Sequence, residues 1–224
     1  MKEANEEKNL EIGDVISKSE LFFEQNKKTL TIAIIAILVV VFGIFGLKKF
    51  YFQPRQVAAS EEMFAAENWL GAQEYELALN GNEQFLGFAE VADKYSNTKA
   101  GKLAKYCAGI CEMNLGNYQE ALKYLKSYKG KDTFTKAQAL MLCGDAQLEL
   151  GNAKEAVSYY EKAAKVEQNF MVTPAALYKA GQVYLSMGNG AKAQDCFQQI
   201  KDNYPESTEW RTIDGDIEYA SRLK

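Results

Sequence analysis

The chain has 224 residues, 26 Lys and Arg against 30 Asp and Glu, a net charge of −4 and no histidine. The lack of histidine excludes Ser-His-Asp and Cys-His nucleophiles, an imidazole general base and His-bearing zinc sites. A pI near 5.2 argues against nucleic-acid binding, which calls for a basic face. The sequence shows no catalytic constellation and no Gly-rich phosphate loop. We therefore predict no enzyme activity, no catalytic residues, no metal, no cofactor and no small-molecule substrate.

The first segment, residues 1–28, is a polar tail that we predict to be cytosolic. Between residues 12 and 23, apolar residues alternate with charged ones at helical spacing, and Asp14 lies near the expected helix start. This pattern predicts a short amphipathic helix. A lead-in lying on a membrane surface is favoured for this helix over a dedicated partner site.

The second segment contains 19 consecutive residues without a charge, 29–47. As a helix, this run would span about 28 Å, close to the hydrocarbon thickness of a bilayer. A lysine pair on each side and the aromatic trio 50–52 are typical of the ends of a membrane span. We predict an uncleaved transmembrane helix over 29–50 rather than a cleaved signal peptide or a buried core helix. Three Lys and Arg residues flank each side, so the positive-inside rule leaves the orientation open.

The third segment, residues 56–224, contains three stretches that superpose. Each has an internal glycine, a Gly-Asn turn and a small alanine at the same spacing. The internal glycines Gly109, Gly144 and Gly181 lie 35 and 37 residues apart, close to the period of about 34 in tetratricopeptide (TPR) repeats. The asparagine after each turn glycine is expected to cap the next helix. Glu112 and Gln147 replace the aromatic residue that the third repeat keeps as Tyr184.

The predicted fold class is therefore all-α, an N-terminal transmembrane helix followed by a TPR α-solenoid of helix-turn-helix repeats. The first helix of the upstream pair is expected from Gln56 to about Tyr75, and the second from Asn82 to Tyr95. The predicted parts of the solenoid are a degenerate helical pair over 56–96, repeats over about 102–135, 137–170 and 174–207, and a capping helix over 208–223.

The candidate binding surface is the concave face that the first helix of each repeat lines. These side chains are largely apolar or aromatic, which suits a partner helix or an extended unfolded segment. Some TPR domains grip a C-terminal carboxylate with Lys and Asn, but Tyr106 and Ile110 occupy those positions here. The alternative is that the upstream helices fold over the groove and fill it. By repeat position the candidate partner-binding residues are Leu103, Tyr106, Ile110, Met113, Met141, Asp145, Leu148, Tyr178, Gln182 and Leu185.

The four cysteines are most simply interpreted as small buried apolar residues. A metal site without histidine would require all four thiols to converge. Two of them lie four residues apart on one predicted helix, where a disulfide has poor geometry. The cysteines are Cys107, Cys111, Cys143 and Cys196.

A polar cytosolic tail, one uncleaved span near residue 30 and a C-terminal TPR domain together resemble the YfgM-like family of bacterial ancillary Sec-translocon subunits. The resemblance implies a single-pass protein of the bacterial inner membrane, with a cytoplasmic N-terminus and a periplasmic TPR domain. It also implies three kinds of partner: Sec translocon subunits, a membrane-anchored prolyl-isomerase-type chaperone and unfolded secretory clients. We therefore expect a membrane-anchored adaptor that assists chaperone handover. The alternative is a structural assembly factor for an envelope or membrane complex that binds no client.

Overall fold

Helices account for almost all of the regular structure. The computed structural model describes residues 2–166 and 168–223, with side chains from residue 22 onward. The chain is 81% helical, and no strand forms among the described residues. It divides into two units, Met1–Pro54 and Arg55–Lys224. The all-α prediction is confirmed.

The first unit consists of helix α1, Lys2–Leu47, and a π-helical segment, Lys48–Phe52. The apolar side chains of α1 are exposed, for example Val39 at 66%. The part of the chain that is described has one helical stretch long and apolar enough to cross a membrane, within Phe22–Gly71, and none of its apolar window is buried. A signal sequence near the N-terminus would meet the same criteria. Of the amphipathic pattern predicted for residues 12–23, residues 12–21 lie outside the described side chains, and Phe22 and Phe23 are exposed.

The second unit is a row of helices. A 3₁₀ turn, Glu209–Arg211, precedes the last helix. The helices are α2 (Gln53–Gly71), α3 (Tyr75–Asn80), α4 (Phe88–Lys94), α5 (Lys99–Asn114), α6 (Tyr118–Ser127), α7 (Thr133–Glu149), α8 (Ala153–Val166), α9 (Val172–Ser186), α10 (Gly190–Asn203) and α11 (Ile213–Arg222). From α3 onward, each helix packs against its neighbour along the chain, and α2 shares a core cluster with α3, α4 and α5.

Close approach of the two helices in each repeat depends on the internal glycine. At Gly181 of α9, a Cβ atom would lie 2.3 Å from Cε1 of Phe197 on α10. The turn between these helices depends on Gly188, whose φ of +73° is a conformation that residues with a Cβ rarely adopt. The pairs α5–α6, α7–α8 and α9–α10 are thus helix-turn-helix repeats.

The turn asparagines differ from the prediction in two of the three repeats. Asn189 caps α10 as expected, because its Oδ1 accepts a hydrogen bond from Lys192 N at 3.2 Å. Asn117 and Asn152 make no such cap. Their Nδ2 atoms instead donate, each at 2.9 Å, to the side chains of Glu112 and Gln147. These buried polar residues replace the consensus aromatic, so the turn amide satisfies a group that would otherwise lack a partner.

The upstream pair has a different division from the predicted one. Helix α2 ends at Gly71, before Tyr75, and the second half of the pair is split into α3 and α4 by residues 81–87. Asn82 Oδ1 accepts hydrogen bonds from the N atoms of Gln84 and Phe85 at 2.9 Å each. This local turn takes the backbone donors that a continuous helix would need for its own ladder.

Three hydrophobic clusters run through the second unit. One joins α2 to α5, a smaller one centres on α6 and α7, and the largest extends from α7 to α11. The four cysteines are buried in these clusters or in contact with them, at 8% exposure or less, which confirms the prediction made for them. Ile213 and Ala220 of α11 are fully buried against the preceding pair, so α11 closes that end of the row.

Candidate functional site

The candidate site is the surface formed by the outward-facing residues of the first helices, which we call the concave face. Helix α5 contacts α7, and α7 contacts α9, so the first helices of the three repeats adjoin. Helix α2 shares a core cluster with α5. The surface therefore consists of residues from neighbouring helices at equivalent repeat positions.

Two leucines are the most exposed members of the predicted set. Leu103 on α5 is 37% exposed and Leu148 on α7 is 42% exposed. Ile110, Met113 and Leu185 are half-buried. The upstream helices therefore leave part of this apolar surface open to solvent, and they do not fill the groove completely.

Two tyrosines of the set are held by aromatic residues of the second helices or of the segment after them. The Tyr106 ring centroid lies 5.8 Å from that of Tyr128, and the Tyr178 centroid lies 5.8 Å from that of Phe197. Both first-helix tyrosines are half-buried. Burial raises the pKa of Tyr106, so its hydroxyl stays protonated at neutral pH. Both rings are thus held in place by a neighbouring aromatic ring.

Met141 does not share the accessibility of the other apolar members. It is only 8% exposed and belongs to the large cluster that includes Tyr160 and Ala137. Its side chain packs inward because α8 and α9 both lie against α7. Met141 thus contributes to the core beneath the face and offers little area to a partner.

The polar members form a small network. Asp145 Oδ1 accepts hydrogen bonds from Tyr160 Oη at 2.6 Å and from Lys179 Nζ at 2.7 Å. Burial, followed by the hydrogen bond to Asp145, raises the pKa of Tyr160 well above its ordinary value. Gln182 Nε2 donates to Asp216 Oδ1 of α11 at 3.2 Å. Asp145 therefore links two successive repeats, and Gln182 links the last repeat to α11.

The upstream pair extends the face by one further repeat, which sequence reasoning missed. Gln73 has a φ of +62°, the conformation that Gly116, Gly151 and Gly188 adopt in the other repeats. Aligning Gln73 with those glycines places Leu70 in the row of Met113, Leu148 and Leu185. It also places Met63 in the row of Tyr106, Met141 and Tyr178, and Glu67 between them in the row of Asp145. By register the first helices thus have two apolar rows with a mostly polar row between them, and Met63 and Met141 of one apolar row are buried at 2% and 8% exposure.

The thiols offer neither a reactive nucleophile nor a metal ligand set. Burial raises the pKa of Cys107 and of Cys111 to about 12, which leaves almost no thiolate at neutral pH. Burial also raises the pKa of Cys143 and of Cys196 to about 11. Within residues 2–166 and 168–223, no group of His, Cys, Asp and Glu is placed to hold a metal ion.

The repeat unit matches the model of a known protein family. Residues 59–219 match the family model described as T7SS, ESX-1 secretion system protein EccA1, N-terminal domain. The chain belongs to this family. The match runs from α2 into α11 and so includes every helix that lines the concave face.

Two further similarities identify the repeat type. The TPR repeat-containing protein MJ1428 of Methanocaldococcus jannaschii is 32% identical over 100 residues, which are 45% of this chain and 17% of that protein. The chain thus spans about a sixth of the curated relative that it matches. The crystal structure of MamA protein superposes with a TM-score of 0.55 at 19% identity, covering 74% of this chain and 87% of that one. The chain is therefore a TPR-repeat protein.

Membership among TPR proteins has general consequences for function. TPR proteins are generally non-enzymatic scaffolds, and no catalytic family is indicated for this chain. The TPR fold implies protein partners. A role in protein–protein interaction is thus the function class that the fold supports.

Proposed function

We propose that this chain is a membrane-anchored, non-enzymatic TPR adaptor whose concave face binds apolar segments of partner proteins. The observation that carries the proposal is the apolar surface of the first helices, on which Leu103 and Leu148 remain 37% and 42% exposed. A partner that removes such side chains from water is bound more tightly, because burial of apolar surface is favourable. The face spans four repeats, which gives room for an extended segment or a short helix.

The anchor part of the proposal rests on α1. Its residues from 29 to 47 carry no charge, and side chains such as Ile37 and Phe42 are 62% and 69% exposed. Fully burying one such side chain contributes about 1.5–3 kcal/mol, so the whole run favours a bilayer strongly over water. The proposed place is the bacterial inner membrane, with the N-terminus in the cytoplasm and the repeats in the periplasm.

The proposed partners follow from resemblance to secretion components. The overall architecture resembles the YfgM-like family of ancillary Sec-translocon subunits, and the family that the chain belongs to is described by a secretion-system protein. We propose Sec translocon subunits, a membrane-anchored prolyl-isomerase-type chaperone and unfolded secretory clients as partners. In this role the concave face would hold an apolar client segment during its transfer to a chaperone.

The experiment compares two matched double variants of the full chain. Leu103→Gln with Leu148→Gln removes exposed leucines from the concave face. Leu115→Gln with Met187→Gln removes residues of similar exposure, 36% and 39%, from turns outside it. Each concave leucine should contribute about 1 kcal/mol, or about 30-fold in Kd for the pair. Partner recovery after crosslinking in cells, with melting curves as the fold control, gives the measurement.

The result has two clear readings. The proposal is supported if partner recovery is lost in the Leu103→Gln, Leu148→Gln variant and is retained in the Leu115→Gln, Met187→Gln variant. Equal recovery from both variants and the parent chain would show that partners bind elsewhere, as expected of a structural assembly factor.

Orientation has a separate test in intact cells. Lys131→Cys introduces an exposed thiol, whereas the four native thiols are buried. A membrane-impermeant maleimide should label this variant from outside the inner membrane, as the proposed periplasmic domain requires. Labelling only after the inner membrane is opened would contradict the orientation.

A further inference from the structure

Charge is distributed unequally between the two ends of the helices in the repeat unit. Residues 93–102, 126–136 and 162–171 connect the second helix of one repeat to the first helix of the next repeat, and together they contain nine lysines and three acidic residues. We call these connections the basic edge. The first three turns within the repeats are opposite: residues 67–76, 110–120 and 145–155 contain eight acidic residues and one lysine, whereas the last turn, 182–192, contains one lysine and no acidic residue. We call the first three turns the acidic edge.

The helix order places these two sets at opposite ends of the array. In a row of antiparallel neighbours, alternate connections lie at the same end of the helices. The start of α2 lies at the basic edge as well. Lys99 N donates to Gln56 Oε1 at 2.6 Å, and Arg55 donates to the main-chain oxygen of Lys94. The chain therefore enters the repeat unit at its basic edge.

The basic edge also exposes large apolar side chains. Phe170 and Met171, in the connection before α9, are 61% and 59% exposed, and Phe134 at the start of α7 is 41% exposed. Lys129 and Lys131 precede Phe134 and are exposed. Lysines next to exposed Phe and Met are typical of surfaces that lie at the headgroup level of a bilayer.

We infer that the basic edge docks on the anionic lipid headgroups of the bilayer that holds α1, an inference that rests on the proposed membrane anchor. The apolar run ends at residue 47, eight positions before Arg55. Eight residues reach at most about 28 Å even when fully extended, so the covalent chain limits how far the basic edge can move from the bilayer. The lysines then contact the headgroups, and Phe170 and Met171 insert between them.

A lipid surface fits these observations better than a soluble polyanion does. Residues 56–224 carry a net charge of −5, which opposes nucleic-acid binding by the unit as a whole. Against a flat anionic surface, the charge separation orients the unit, because the basic edge is attracted while the acidic edge is repelled. The concave face runs from Leu103, next to the basic edge, to Leu148 within the acidic edge, so most of it is left free for a partner.

The test uses the full chain in vesicles, with one fluorophore at either edge. Gln168→Cys places an exposed thiol at the basic edge, and Gln119→Cys places one at the acidic edge. The native thiols are buried, so an environment-sensitive maleimide dye reacts with the new thiol first, and the parent chain measures background labelling. Vesicles contain phosphatidylcholine alone or with phosphatidylglycerol. We expect a blue shift and protection from iodide only for the dye at 168, and only with phosphatidylglycerol.

Charge variants then test the lysines. Lys129→Gln, Lys131→Gln and Lys165→Gln should lower the docked-to-free ratio about fivefold for each lysine neutralised. The matched control, Lys123→Gln, Lys154→Gln and Lys192→Gln, removes the same charge away from the basic edge and should leave the ratio unchanged. Added salt should release the docked edge.

Three outcomes would overturn the inference. One is identical spectra for the dyes at 168 and 119 in anionic vesicles. Another is equal protection of the dye at 168 in both vesicle types, which would remove the role of headgroup charge. The third is protection by a soluble polyanion in zwitterionic vesicles, which would assign the edge to a macromolecule. If alkaline carbonate extracts the chain from the vesicles, the anchor has failed instead. Partner recovery reports separately on the concave face.

Discussion

Lys179 on α9 places its Nζ 2.7 Å from Oδ1 of Asp145 on α7, and so links the first helices of two consecutive repeats. The same oxygen accepts the hydroxyl of Tyr160 from α8 at 2.6 Å. Three helices therefore meet at one carboxylate at the margin of the concave face. The position combines a partly exposed ion pair with a more buried hydrogen bond.

The first prediction ranks these two interactions. Because Lys179 is 41% exposed, its pairing with Asp145 should contribute only about 0.5 kcal/mol to the free energy of unfolding. The bond from Tyr160 to the charged carboxylate should contribute about 1.5 kcal/mol. Double-mutant cycles with Asp145→Asn, Lys179→Met and Tyr160→Phe measure both couplings by urea unfolding. A Lys179 coupling larger than that of Tyr160 would reverse the ranking.

The second prediction concerns the contact between Gly181 and Phe197. A Cβ at position 181 would lie 2.3 Å from the Phe197 ring, so Gly181→Ala forces α9 and α10 apart. The expected loss is about 1–3 kcal/mol in the free energy of unfolding. Gly215→Ala is the control, because Gly215 lies in α11 and a methyl group added there would have nothing within 4 Å. It should stabilise the chain by about 0.5–1 kcal/mol, and destabilisation by both variants would contradict the packing argument.

The sequence predicted the three regular repeats because their glycines mark both the helix contact and the turn. It did not separate the upstream pair correctly, because Ala66 and Gln73 stand where the other repeats have glycine. Gln73 adopts a positive φ that is typical of glycine, so its residue type does not indicate the turn. The interruption in the second helix depends on the turn around Asn82, a local competition between side chain and backbone that periodicity does not resolve.

Repeat register predicts which residues line the candidate concave face, but it does not predict their accessibility. Repeat register identifies which residues are equivalent, yet Leu148 is 42% exposed while Met141, on the same helix, is 8% exposed. Burial at these positions depends on the neighbouring helices α8 and α9, which register alone does not describe. The roles of Glu112 and Gln147 were missed for a related reason. Their partners are the turn asparagines, which the sequence pattern predicts to be helix caps.

The third prediction follows from the backbone of Gln73. A φ of +62° is unfavourable for a residue with a Cβ, and glycine adopts it without that cost. Gln73→Gly should therefore stabilise the chain by about 0.5–1 kcal/mol, measured as a higher urea midpoint. Gly151→Gln, the reverse change at an equivalent turn, should destabilise it by a similar amount or more. A loss of stability in Gln73→Gly would contradict the assignment of this residue to a repeat turn.

The fourth prediction concerns alkaline pH. Burial raises the pKa of Cys143 from an ordinary value near 9 to about 11. The folded chain therefore holds this proton more tightly than the unfolded chain does. The resulting stability is fully present below pH 9 and is lost as the pH rises from 9 towards 11. Within that window the loss should be about 1 kcal/mol per pH unit for this thiol.

Cys143→Ala isolates this contribution from the titration of the tyrosines and of the other thiols. Urea unfolding of the parent chain and the variant at several values between pH 8 and 11 gives two slopes of stability against pH. The slope of the variant should be shallower by about 1 kcal/mol per pH unit, whatever its stability at pH 8. Parallel slopes would mean that the Cys143 thiol ionises in the folded chain as readily as in the unfolded one, and its buried position between α6 and α7 would then not control its chemistry.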